Sequence, residues 1–234
     1  MSKLLKSYII AFAILISAIE PVFACGDSYN SPDDPVKYIT HFKKFYFVRH
    51  GETDYNKQHK ISGSTEIPLN DEGKRQAQKT AELLKNQKID IIVASPMIRT
   101  KQTAEIIAKT INVPIVYEKE IREVSWGSYE GKDANSSDAK EKFALWVKGE
   151  DMSITGAENK HDFQKRIACA LDAILAKHDN VLIVSHGGVF GNLTDILGLG
   201  YIKTGNVVPY EFIPANGQKI KYKILNLEEE KQSS

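Results

Sequence analysis

Phe45-Tyr46-Phe47-Val48-Arg49-His50-Gly51-Glu52-Thr53 decides how this chain is read. Four strand-forming residues lead straight into a guanidinium, an imidazole and a glycine. The pattern predicts a buried strand that ends at a loop carrying chemistry. A neutral imidazole beside a guanidinium suits phosphoryl transfer: a ring nitrogen attacks phosphorus while the planar cation holds the phosphate oxygens.

Outward from this stretch, apolar strands alternate with amphipathic helices. Residues 43–48, 89–94, 114–117 and 181–184 read as strands. Residues 207–213 and 219–225 flank Asn216-Gly217, a two-residue hairpin signal. Asn70-Asp71-Glu72 reads as a capped helix start with acids in its first turn. Ala77, Ala81 and Leu84 then repeat at helical spacing as far as Asn86. Further helices are expected over 97–111, through Phe143, Trp146 and Val147, over 158–178, and from the glycines after His186 to Leu197. Val- and Ile-rich strands separated by such helices predict an α/β fold, a three-layer α/β/α sandwich around a mainly parallel central sheet. Ligands of such sheets bind beyond the carboxyl ends of the strands. Arg49-His50 and Ser185-His186 both stand at such ends, so two histidines far apart in sequence are aimed at one edge.

The 234 residues suffice for one domain with its own core. Hydrophobic residues make up 42% and charged residues 26%, the balance of a globular protein rather than a disordered one. A formal net charge of +1 creates no global field to draw nucleic acid, so no nucleic-acid partner is expected. Lys3 and Lys6 precede an apolar run from Tyr8 to Ile19 and the segment Pro21-Val22-Phe23-Ala24. Residues 1–24 therefore read as a signal peptide, and the protein as exported, periplasmic or secreted if bacterial. Proline-broken residues 25–40 read as a linker, 41–227 as the folded domain and 228–234 as a flexible, charged tail. Cys25 stands where a bacterial lipoprotein carries its lipid, so a lipid anchor there is one reading. Bulky Phe23 makes a poor lipobox, and an incidental cysteine is the other. Cys169, in an alanine-rich helix, reads as a small core residue. An oxidising compartment would also allow a Cys25–Cys169 bridge, though nothing in the sequence demands one.

Five fragments carry a resemblance. They are Arg49-His50-Gly51-Glu52-Thr53 with Asn56; Ser62-Gly63 and Pro68-Leu69-Asn70-Asp71-Glu72-Gly73; Ser95-Pro96 with Arg99, Thr100, Thr103 and Ala104; Glu123 with Trp126-Gly127 and Glu130-Gly131; and Ser185-His186-Gly187-Gly188. Together, and in this order, they resemble the histidine phosphatase superfamily, in the branch of the cofactor-dependent phosphoglycerate mutases and many small phosphatases. The resemblance implies that His50 is the nucleophile, that Arg49 and Arg99 clamp the phosphate, and that His186 is a cationic donor completing the pocket. It implies Glu123 as general acid, because the family's acid precedes an aromatic-Gly pair. Glu120 and Glu130 are its rivals, and Glu52 reads as structural. Asn56 is a further donor, and Ser62 and Gly63 line the pocket mouth. No cofactor and no metal are expected. His41, His59, His161 and His178 lack ligand spacing.

The likeness favours a metal-independent phosphomonoesterase working through phosphohistidine. The export signal, the Gly187-Gly188 pair and the short stretch 131–156 speak for hydrolysis over mutase chemistry. A phosphoglycerate mutase or a phosphosugar bisphosphatase is the enzymatic alternative, and a phosphate-binding pseudoenzyme the non-enzymatic one. The expected partner is a phosphorylated small molecule, with a phosphoprotein as a further candidate.

Overall fold

The computed structural model describes residues 39–214 and 220–225. Its sheet has six strands: β1 (Phe45–Arg49), β2 (Ile91–Ala94), β3 (Ile115–Tyr117), β4 (Val181–Ser185), β5 (Pro209–Pro214) and β6 (Ile220–Ile224). They lie in the order β3-β2-β4-β1-β5-β6. The first four in that order run parallel, whereas β5 and β6 are antiparallel additions beside β1. Six α-helices accompany them: α1 (Asp54–Lys57), α2 (Asp71–Leu84), α3 (Ile98–Ile111), α4 (Ser137–Val147), α5 (Lys160–Lys177) and α6 (Gly187–Ile196). This is the expected α/β sandwich with a mainly parallel sheet.

Side-chain alternation along the strands explains the layers. Phe45, Phe47, Val181 and Ile183 point to one face, where Phe163, Ile167 and Leu171 of α5 and Val189, Phe190 and Leu193 of α6 bury them. Tyr46, Val48, Leu182 and Val184 point to the other, against Ala77, Ala81 and Leu84 of α2 and Ala104 and Ile107 of α3. With both faces covered, the central strands carry apolar residues at almost every position rather than at alternate ones. Asn70 caps α2 as expected, its side-chain oxygen accepting the Gly73 N–H at 2.8 Å.

The first described residues rest on the core. Ile39 already packs on the core, and the Thr40 and His41 N–H groups donate to Asp172 of α5, so the last residues of the expected linker are held on the domain. The signal segment, Cys25, the Asn216-Gly217 turn and the 228–234 tail lie outside the described residues.

Cys169 corrects its reading as an inert core thiol. It is only half-buried on α5 and is disulfide-bonded, with its partner outside the described residues. Loss of a native disulfide typically costs about 2–4 kcal/mol. Dithiothreitol is therefore expected to lower the midpoint of thermal unfolding, and Cys169→Ser to start at the lowered value and ignore the reductant. Equal midpoints with and without reductant in the wild type would show that the bridge is absent or without consequence.

Candidate active site

The parallel pairing of β1 with β4 sets Arg49 opposite Ser185. The next residue on each strand is a histidine, and the His50 N–H continues the ladder by donating to the Ser185 carbonyl at 2.9 Å. The two rings meet edge to face, 5.4 Å between centroids. Both are buried. His50 Nδ1 lies 2.8 Å from the Gly51 carbonyl, which can only accept, so Nδ1 carries the hydrogen and Nε2 is left bare. Burial, and after it the charges of Arg49 and Arg99, hold His50 well below the ordinary histidine range. The geometry presents a neutral ring with an unprotonated nitrogen.

His186 departs from the cationic donor expected of it. Burial first, then Arg99, His50 and Arg49, keep it well below the ordinary range, so in this arrangement it is neutral. Its Nε2 is 2.8 Å from the Ser95 hydroxyl, and its Nδ1 has no partner in the protein.

The two arginines are fixed by backbone carbonyls. Arg49 donates to Thr204 at 3.0 Å. Arg99, fully buried in the first turn of α3, donates to Gly63 at 2.8 Å and Thr65 at 2.9 Å. The Nε of each has no partner, and neither does the Ser62 hydroxyl. Among the described residues, the buried side-chain polar atoms lacking a partner belong to Arg49, Ser62, Arg99 and His186 alone. Orphaned buried donors are rare in folded proteins and call for an explanation. Four that gather on residues singled out from the sequence mark a cage for an anion.

Glu123 closes the group. Its two oxygens accept the N–H groups of Val124 and Gly188, each at 3.0 Å, and it lies within electrostatic reach of both arginines. Its rival Glu130 does different work. Burial would raise its pKa, but hydrogen bonds from Thr65, Ser64 and Trp126 outweigh that and lower it, which makes it a fixed carboxylate tying two loops together. Glu120 pairs with Lys119. Glu52 accepts from Asn70, in the structural place expected of it.

The remaining residues sit behind or beside the cage. Asn56 completes the capping box of α1 with Thr53, and its Oδ1 also accepts from Asn206, whose amide donates to the His50 carbonyl at 2.9 Å. Gly63 supports Arg99 through its carbonyl. Gly51 does not have a positive φ. It is needed for contact: a Cβ there would stand 2.4 Å from the Gly73 carbonyl oxygen at the start of α2.

Several supporting residues hold these groups in place. The Thr103 hydroxyl accepts the Gly51 N–H at 3.0 Å and donates to the Arg99 carbonyl at 2.7 Å, linking the nucleophile loop to the clamp. Arg166 of α5 grips Glu158 with two nitrogens and donates to the carbonyls of Glu120, Arg122 and Glu123, so it holds the loop that carries Glu123. The 204–207 loop supplies Thr204 and Asn206 and strains Val207 to a φ of 51°, unusual for a β-branched residue. Thr103 belongs to the motif that carries Arg99, whereas no sequence pattern marked Arg166, Thr204 or Asn206.

With the geometry in hand, comparison is informative. The profile of the histidine phosphatase superfamily (branch 1) matches residues 45–203. The chain belongs to that superfamily. It is similar to an uncharacterized phosphatase, PhoE, of Bacillus subtilis, 38% identical over 154 residues, covering 64% of this chain and 76% of that one. It also resembles a probable phosphoglycerate mutase, GpmB, of Proteus mirabilis, 36% identical over 162 residues, with 66% and 74% covered. Among solved structures, a phosphoserine phosphatase from Entamoeba histolytica bound to phosphoserine aligns with TM-score 0.66 at 26% identity, over 79% of this chain and 98% of that one. A mycobacterial glucosyl-3-phosphoglycerate phosphatase, with TM-score 0.65 at 23% identity over 78% and 97% of the two chains, shares the fold.

The two buried histidines make stability depend on pH. Their folded pKa values lie below the unfolded one, so the unfolded chain binds more protons as pH falls below about 6.5, and stability falls with it. Each histidine contributes a slope of up to about 1.4 kcal/mol per pH unit. Urea titrations of the wild type between pH 6.5 and 5 are expected to show this loss, and His50→Gln to show a slope smaller by about half. An unchanged slope in the variant would mean that His50 titrates normally.

Proposed function

We propose that the protein is an exported, metal-independent phosphomonoesterase that works through a phosphohistidine intermediate. The observation that carries this reading is the buried set of unpartnered polar atoms on Arg49, Ser62, Arg99 and His186 beside the bare Nε2 of His50.

In this reading His50 Nε2 attacks phosphorus while the bond to the leaving oxygen breaks, and Glu123 gives that oxygen its proton. The charge on the phosphoryl oxygens is met by the guanidinium groups of Arg49 and Arg99 and by donors from His186, Ser62 and Asn56. Water then attacks phosphorus, the N–P bond breaks, Glu123 takes the water's proton, and inorganic phosphate and neutral His50 are regenerated. Two fixed cations supply the positive charge, so the reading requires no metal ion. The disulfide at Cys169 supports export, since such bonds persist in oxidising compartments.

The likeness to a named probable phosphoglycerate mutase supports a second reading, in which the phosphoryl group returns to another hydroxyl of the substrate. The short stretch 131–156, largely taken up by α4, supports access of water to phospho-His50 and hence hydrolysis.

His50→Ala is expected to abolish hydrolysis of an aryl phosphate in EDTA while retaining the wild-type circular dichroism, and acid quench of the wild type to trap phosphate on His50. Full activity in that variant would overturn the mechanism. Release of an isomeric phosphate ester without inorganic phosphate would favour the mutase.

Glu123→Gln is expected to lower kcat by about 10²–10⁴ for an alkyl phosphate. The loss should be smaller for p-nitrophenyl phosphate, whose leaving group departs without a proton. Equal losses for both would assign Glu123 to positioning rather than acid catalysis.

A further inference from the structure

The first turns of α6 contain three glycines, and each makes room for one side chain. A Cβ on Gly187 would stand 3.2 Å from Nε of Arg49, and one on Gly188 would stand 2.3 Å from Oε1 of Glu123. These are two of the groups just assigned to the reaction. The third glycine, Gly191, lies one turn further along the same face. A Cβ there would stand 2.4 Å from Cζ of Tyr201, the carbon that bears the phenol oxygen. Tyr201 is absent from every motif singled out in the sequence.

The chain brings Tyr201 back deliberately. After α6 it turns through Gly198 and Gly200, both with positive φ, and is pinned to the helix by Leu199 N–H to the Thr194 carbonyl and Ile202 N–H to the Thr194 hydroxyl. The aromatic ring thus lies on the glycine face that seats Arg49 and Glu123. Yet Tyr201 is 43% exposed, whereas Arg99 and His186 are fully buried. Its position is the rim of the pocket, outside the cage that would take the phosphoryl group. Burial and the nearby Glu123 carboxylate push its phenol up to about 12, so the hydroxyl keeps its proton and acts as a donor.

We propose that Tyr201 is a specificity-determining residue that contacts the leaving group: its ring packs against a flat or apolar face of the substrate alcohol, and its hydroxyl donates to an oxygen beside the scissile bond. The proposal rests on the phosphatase reading for its chemistry but predicts a binding property that can be read without turnover. Substrates whose alcohol carries a sugar or aromatic ring are the class this rim would favour over small alkyl phosphates.

Calorimetry with two probes tests it, using phenylphosphonate, which has a ring, and inorganic phosphate, which does not. Tyr201→Ala is expected to weaken phenylphosphonate binding about 3- to 10-fold, the size of the ring contact alone because this probe has no bridging oxygen, and to leave phosphate binding within about twofold of wild type. Gly191→Ala, which must displace the ring, is expected to reproduce that selective loss, and the double variant to lose nothing more than Tyr201→Ala does. Equal weakening of both probes, no weakening of either, or additive losses in the double variant would each overturn the proposal. These outcomes do not depend on whether a phosphoenzyme can be trapped, so failure of the hydrolytic mechanism and failure of this assignment are separately visible. Tyr201 is partly exposed and Gly191 is buried beneath its ring, and an unchanged thermal midpoint would verify that both variants fold.

Discussion

The register between β1 and β4 is the constraint on which the site depends. Because the strands are parallel and Arg49 stands opposite Ser185, both chains leave the sheet at the same level and in the same direction. One residue later each presents a histidine. A slip of one residue would turn one strand inside out relative to the other, moving either Phe47 or Ile183 from the α5 and α6 layer to the α2 and α3 layer. The apolar packing that specifies the sheet therefore also specifies the distance between the two imidazoles. Elsewhere in the site the same economy recurs: Arg99 is carried by the first turn of α3, which follows directly on β2.

What this convergence costs is visible in the electrostatics. Two guanidinium groups and two imidazoles share a buried space, where burial first and the neighbouring arginines after it depress the protonation of both imidazoles. Burying like charges together is unfavourable unless compensating groups surround them. Here the compensation comes mainly from backbone carbonyls of Thr204, Gly63 and Thr65, with the Glu123 carboxylate nearby. These carbonyls sit in loops that are themselves pinned, by Glu130 on one side and by the strained 204–207 segment on the other. The scaffold thus holds an arrangement that a free chain would avoid, as functional sites commonly require.

Legibility from sequence followed the physics of each signal. The strands and long helices were readable because burial on both sheet faces or on one helical face leaves a periodic pattern. The histidines, arginines and Glu123 were readable because they abut those elements at strand ends and in motif-bearing loops. The short α1 was not, since four residues leave too little periodicity to detect. Arg166 was hidden because it acts through carbonyls of residues more than forty positions away, and carbonyls carry no sequence. The neutral state of His186 was hidden too, because it follows from how deeply neighbouring cations are buried together rather than from which residues are present. Cys169 illustrates the same limit: composition alone left a core thiol and a bridge both open, and the bond itself, at a half-buried place on α5, separates them.

The glycines of α6 show how a local penalty can serve the site. Glycine costs roughly 1 kcal/mol relative to alanine inside a helix, and α6 has three within its first five residues. The helix survives because Val189, Phe190, Leu193 and Ile196 bury its other face in the core, at a gain of about 1.5–3 kcal/mol for each large side chain. Tertiary packing, not propensity, thus holds the helix. Freed of side chains, the opposite face admits Arg49, Glu123 and Tyr201 to within contact of its backbone, and the Gly188 N–H becomes a ligand for the carboxylate. An alanine at Gly188 would repair the helix and evict Glu123. The sequence there is chosen for what it lets approach, and the same logic that places the acid places the tyrosine on the rim.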